Sequence, residues 1–190
     1  MRPAGKRAVP PVPGSRCAGP WATGWKICCT SPCRRPWTGP VPAGVPGFPD
    51  YYLAHCNEET RPYRGIPELL EALEKLGVKT AIVSNKAHPA VLALRDRYFP
   101  KTMQVAIGES REVRRKPAPD TVFRALEELG IPREEAVYVG DSEVDKMTAD
   151  NAGMDCFLVT WGFRDRDELA ALRPTSLIDS PEQILEQVKG

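Results

Sequence analysis

Residues 136–154 read AVYVGDSEVDKMTADNAGM. An apolar run ends at Gly140, a polar turn follows at Asp141 and Ser142, and a helix then runs to about Ala152 before Gly153 stops it. A mostly apolar strand feeding a helix through so short a turn is the unit of a buried parallel sheet. The alternation extends both ways. Upstream, Pro67 opens a helix with Glu68 and Glu71 in its first turn, an apolar face of Leu69, Leu70, Leu73 and Leu76, and Gly77 as its stop. VKTAIVS (78–84) reads as a strand, 89–97 as a helix and 103–107 as a strand. Pro119 opens a helix with the face Val122, Phe123, Leu126 and Leu129, closed by Gly130. Downstream come a strand at 156–160, a helix at 167–172, a short strand at 176–178 and a helix at 181–188. The predicted class is α/β, a three-layer Rossmann-like parallel sheet with helices on both faces.

Ligands of such sheets bind beyond the carboxyl ends of the strands. Three groups stand there: Ser84-Asn85-Lys86, Lys116-Pro117, and Gly140-Asp141-Ser142 with Asp145. Each has an ordinary structural role. Ser84 and Asn85 are turn formers, Lys116 suits a solvated position before a proline turn, Asp141 can cap a helix, and Asp145 can sit on a solvated helix face. Together they bring a hydroxyl, an ammonium and a carboxylate pair to one edge of one sheet. That set suits phosphoryl chemistry: Ser84 and Asn85 donate to phosphate oxygens, Lys116 offsets developing negative charge, and Asp141 and Asp145 offer hard oxygen ligands for Mg²⁺.

The order and spacing of these groups resemble the haloacid dehalogenase superfamily, and within it phosphoglycolate phosphatase-like enzymes. The resemblance covers about 50–190. AIVSNK (81–86) is similar to the family's second motif, RRKPAPD (114–120) to its third and VYVGDSEVDKMTADNAGM (137–154) to its fourth; WGF (161–163) resembles a segment that follows. YYLAHCNEETRPYRGIPELLEAL (51–73) resembles the end of the helical cap and the return to the core, with Arg64 where proline is expected. The resemblance implies a Mg²⁺-dependent phosphomonoester hydrolase acting on a small phosphorylated metabolite. Ser84 would bind the phosphoryl group, Lys116 would hold nucleophile and phosphate together, and Asp141 would ligate the metal with Asp145 in support. The family's nucleophile and general acid are an aspartate pair in a DxDGT motif on the first core strand. Here no Asp or Glu precedes Asp50. The expectation is a core without its first strand, a cap largely missing, a gap between the 78–84 and 136–140 strands, and a chain inactive as written.

Composition divides at the same place. The chain has 190 residues and a net charge of +1, with 26 basic and 25 acidic side chains. That balance gives no general attraction to nucleic acid or to an acidic membrane surface. No apolar run is long enough for a transmembrane helix, and no secretory signal is evident. Residues 1–49 hold seven basic residues, no acid, no Leu, and 11 of the 20 Pro; residues 50–190 carry a net charge of −6 and all 14 Leu. A segment without Leu cannot bury a core that offsets its ordering entropy, so 1–49 is predicted disordered or loosely packed. The domain reading is therefore 1–49 as this segment, 50–65 as a cap remnant with a short helical piece at 50–59, and 66–190 as the core.

Several readings of the segment compete. Cys17, Cys28, Cys29 and Cys33 suggest zinc but lack paired C-x-x-C knuckles. The acid-free start suggests a transit peptide, which Pro3, Pro10, Pro11 and Pro13 spoil. A nucleic-acid arm would want a clearer Arg cluster. WATGWKICCT (21–30), back-translated with one choice of codons and read one base earlier, gives VGDGLEDLLH, which resembles the start of the family's cap helices. An out-of-frame reading would explain the missing Leu and acids together and would place the first motif upstream. The alternative function is a non-catalytic phosphate-binding or interaction module with a basic, Cys-rich arm. Cys56 and Cys156 read as ordinary thiols, so no disulfide framework is evident and a reducing cytoplasm is expected. His55 and His88 fit no metal spacing. No sequence feature sets an oligomeric state.

Overall fold

The computed structural model describes residues 60–189. The expectations for 1–49, for the helical piece at 50–59, for most of the cap remnant, and for Cys17, Cys28, Cys29, Cys33, His55 and Cys56 lie outside the described residues. The described chain runs α1 (Ile66–Lys75), β1 (Ala81–Ala87), α2 (His88–Tyr98), β2 (Val105–Glu109), α3 (Asp120–Leu129), a 3-10 turn (Arg133–Glu135), β3 (Val137–Gly140), α4 (Glu143–Ala152), β4 (Asp155–Val159), α5 (Arg166–Ala171), β5 (Ser176–Ile178) and α6 (Pro181–Lys189). The predicted alternation is present throughout.

All strand pairing is parallel, but it falls into two sheets. β1 pairs with β2, and β3, β4 and β5 form the second sheet in that order. Among the described residues nothing pairs β1 with β3. The sequence placed its gap between these strands. β1 is half-buried along its whole length although Ala81, Ile82 and Val83 are apolar, whereas Val105, Ala106 and Ile107 on β2 are buried.

The period-two alternation of β4 sorts the core into layers. Phe157 and Val159 pack with Leu69, Leu70 and Leu73 of α1, Ile178, and Ile184 of α6. Cys156 and Leu158 face the other way, onto Val122 of α3, Ala149 and Ala152 of α4, and Leu169 of α5. Helices thus cover both faces. α3 also spans the division between the sheets: Val122 joins the β3–β4 cluster, while Ala125 packs with Val105 and Ile107 of β2.

Three local expectations are corrected. The strand expected at 78–84 occupies 81–87, because the Val78 amide donates back to the Leu73 carbonyl and the Thr80 amide donates to the Gln104 side chain. The buried face of α3 is Thr121, Val122 and Ala125, with Phe123 exposed. The small residues let the helix approach the sheet, and a turn of about 100° per residue carries Phe123 off that stripe. Leu76 is half-exposed because it lies just past the last turn of α1. His88 has a structural partner, accepting the Gly108 amide at Nδ1 over 3.1 Å.

Candidate functional site

The β1–β2 ladder keeps register at Ala81↔Val105, Ile82↔Ala106 and Val83↔Ile107, then shifts before resuming at Ala87↔Glu109. Ser84, Asn85 and Lys86 sit in that irregularity. Such breaks re-aim side chains that a regular strand would commit to its faces. The Ser84 hydroxyl accepts the Lys86 amide at 3.1 Å, and among the described residues its own O–H stays available to donate. Asn85 reaches across to the loop before α3. Its Oδ1 accepts the Lys116 amide (2.8 Å) and its Nδ2 donates to the Lys116 carbonyl (3.1 Å), so the side chain fixes the Lys116 backbone from both sides.

Lys116 is not a solvated lysine: its side chain is 13% exposed. Nζ donates to Asp145 Oδ1 at 2.7 Å and to the Tyr138 hydroxyl at 3.1 Å. Asp145 is buried in the first turn of α4, and every face of its carboxylate is used. Oδ1 also accepts from the Tyr138 hydroxyl (3.1 Å), while Oδ2 accepts from Ser142 Oγ (2.6 Å) and the Asp141 amide (3.2 Å). Burial alone would raise its pKa. The Lys116 charge, with hydrogen bonds from Lys116 and Ser142, outweighs burial and holds the carboxyl below the usual carboxylate range.

Asp141 is tuned the other way. Burial first, and then the Asp145 charge, raise its carboxyl. Its Oδ2 accepts the Phe163 amide at 3.0 Å, and no described group donates to Oδ1. The loop at 161–164 lies very close to it: a Cβ on Gly162 would stand 2.3 Å from the Asp141 Cβ. A two-pronged ion pair from Arg164 to Glu143, at 2.8 and 2.7 Å, fastens that loop to α4. Gly140 plays the same part on the strand side, since a Cβ there would stand 2.2 Å from the Asp145 Cβ.

Among the described residues no group of three or more His, Cys, Asp or Glu is set to hold a metal. Mg²⁺ asks for less, since one or two carboxylates with water and phosphate oxygens suffice. Asp141, with one oxygen unclaimed, fits that requirement; Asp145, with both oxygens taken, fits an outer position. The structure therefore brings Asn85, Lys116, Asp145 and Asp141 into one connected network, with Ser84 next to it in sequence but bonded to the Lys86 amide. Sequence reasoning passed over Tyr138 and the Phe163 amide, and named Ser142 without giving it a role. Tyr138 carried a legible signal, because a tyrosine inside a buried apolar strand must find a partner for its hydroxyl.

Residues 45–159 match the family model described as haloacid dehalogenase-like hydrolase. The chain is 34% identical over 150 residues to a candidate pyrophosphatase, PpaX, of Caldanaerobacter subterraneus subsp. tengcongensis, covering 75% of this chain and 66% of that protein. It is 30% identical over 133 residues to a phosphoglycolate phosphatase of Pseudomonas savastanoi pv. phaseolicola, covering 70% of this chain and 49% of that one. The crystal structure of a candidate phosphoglycolate phosphatase from Lactobacillus delbrueckii subsp. bulgaricus superposes with a TM-score of 0.71 at 42% identity, over 74% of this chain and 59% of that one. The chain thus spans between about half and two thirds of these relatives' lengths. With the motif order, the parallel α/β core and the family match in agreement, the chain belongs to the haloacid dehalogenase-like hydrolases and is phosphoglycolate phosphatase-like among them.

Proposed function

We propose that residues 60–189 form the phosphate-holding part of a phosphomonoester hydrolase, and that this chain alone binds a small phosphorylated metabolite without hydrolysing it. One observation carries the reading: a nearly buried ammonium, Lys116, is fixed by Asp145 beyond the carboxyl ends of β1 and β3. An ammonium has three N–H donors, and the contacts to Asp145 and Tyr138 engage two of them. Among the described residues nothing claims the third, which is placed to meet a phosphate oxygen. Ser84 adds its O–H, and Asn85, which spends one N–H on the Lys116 carbonyl, has a second to give. Asp141 would hold Mg²⁺ through its unclaimed oxygen. When bound, the metal neutralises phosphate charge and draws electron density from phosphorus. The chain's own residues position and neutralise the anion. They supply no attacking carboxylate, because no acid precedes Asp50, Asp145 has both oxygens bonded and Asp141 is assigned to the metal. The names of the relatives, a pyrophosphatase and a phosphoglycolate phosphatase, support a phosphorylated ligand and differ in which one.

The test pairs calorimetry with an assay. Inorganic phosphate with Mg²⁺ is expected to bind saturably, and Lys116→Ala to abolish that binding. Phosphoglycolate with Mg²⁺ is expected to release no phosphate. Turnover that disappears in Asp141→Ala overturns the non-hydrolytic reading. Failure of the native chain to bind phosphate overturns the site itself.

A further inference from the structure

The geometry points to Tyr138 as a positioning residue for Lys116, its hydroxyl fixing the ammonium so that the one remaining N–H meets an anion. The inference rests on the reading of Lys116 as a phosphate contact. Tyr138 is 5% exposed on β3, among Val122, Ala149, Ala152, Cys156, Leu158 and Leu169, and only its oxygen reaches the site. That oxygen accepts from Lys116 Nζ and donates to Asp145 Oδ1, both at 3.1 Å, and Nζ donates to the same Oδ1 at 2.7 Å. Three groups thus close a triangle in which each constrains the other two. Nζ lies 5.8 Å from the ring centroid. With the hydroxyl only 3.1 Å from Nζ, that distance means the ammonium sits nearly in line with the C–O bond. The contact is a hydrogen bond at the rim of the ring, not a cation resting on its face.

A lysine side chain has a flexible four-carbon stem, and one ion pair leaves the ammonium free to rotate about the N···O line. A second acceptor, rigidly mounted in the core, removes that rotation. Burial, and then the Asp145 charge, push the Tyr138 phenol far above its ordinary value, so it keeps its proton and its role as donor to Asp145. Phenylalanine would preserve the ring packing and delete only the vertex of the triangle.

The experiment uses the full chain with isotope-labelled lysine. An ammonium held by acceptors away from water exchanges its protons slowly and gives a resolved proton–nitrogen resonance, which solvated lysines do not. The native protein is expected to show this resonance for Lys116, and Tyr138→Phe to lose it. Calorimetry with inorganic phosphate is expected to show about tenfold weaker binding in Tyr138→Phe, the scale of one hydrogen bond to a charged group. Val122→Ala, in the same core cluster, serves as control: it should lower the melting temperature while leaving the resonance and the affinity intact. The inference is overturned if Tyr138→Phe keeps either the resonance or the native affinity, or if Val122→Ala loses the resonance as well. A native Lys116 ammonium that exchanges as fast as surface lysines overturns it without any variant. If the resonance behaves as expected but the native chain binds no phosphate, the phosphate reading fails and the positioning of Lys116 stands.

Discussion

Asp145 shows what one residue contributes to this site. Its carboxylate accepts four hydrogen bonds and faces the only ammonium in the network. Asp145→Asn keeps the shape but leaves the Lys116 ammonium, 13% exposed, without its counter-charge. Breaking a buried pair from one side is strongly destabilising, and here the expected loss is about 3 kcal/mol at neutral pH by urea unfolding. The pH dependence has a definite sign. The folded Asp145 carboxyl titrates below its unfolded value of about 3.9, so its stabilisation is present above that pH and is lost as pH falls through the lower folded value. Asp141, raised on folding, works in the opposite sense, favouring the fold at low pH. Unfolding at pH 7 and at pH 3 should therefore show the gap between native and Asp145→Asn narrowing on acidification. A gap independent of pH would contradict the assignment of Asp145 as the ionised partner.

At the scale of elements, the two sheets predict a pattern of amide protection. β4 has a partner on both sides, whereas β1 pairs only with β2 and β3 only with β4 among the described residues. Residue-resolved hydrogen exchange should find β4 protected along its length and β1 protected only at the alternate amides that face β2. Uniform protection of β1 would mean that another segment pairs with its free edge. The strand–helix order was legible in the sequence because apolar runs and glycine stops act locally, as at Gly130 and Gly153, both of which end their helices at positive φ. The three strand-end groups were legible for the same reason. What escaped was decided by distant partners. The start of β1 depends on Gln104, the register break at Ser84–Lys86 on β2, and the part played by Tyr138 on a lysine 22 positions away. No window of sequence contains such pairs.

Across the whole of the described molecule, two kinds of tie join the sheets. One is apolar: α3 lies across the division through Val122 and Ala125, and Val83 of β1 packs against both clusters. The other is polar, running from Asn85 on β1 through Lys116 to Asp145 and Tyr138 at the β3–α4 junction. Asn85→Ala removes the first link of the polar tie without touching the apolar one. Urea unfolding followed at reporters on β2 and on β4 is expected to coincide in the native chain and to separate in Asn85→Ala, with β2 lost first. Coincident transitions in the variant would mean that the apolar contacts carry the cooperativity.

The residues proposed to hold phosphate are thus also residues that link the two sheets. A ligand seated on Lys116 spans the seam like a rivet, so its occupancy is a structural variable as well as a chemical one. By mass action, a ligand at a hundred times its dissociation constant adds roughly 2.7 kcal/mol to the folded state. In this architecture that increment would fall on the joint between the sheets.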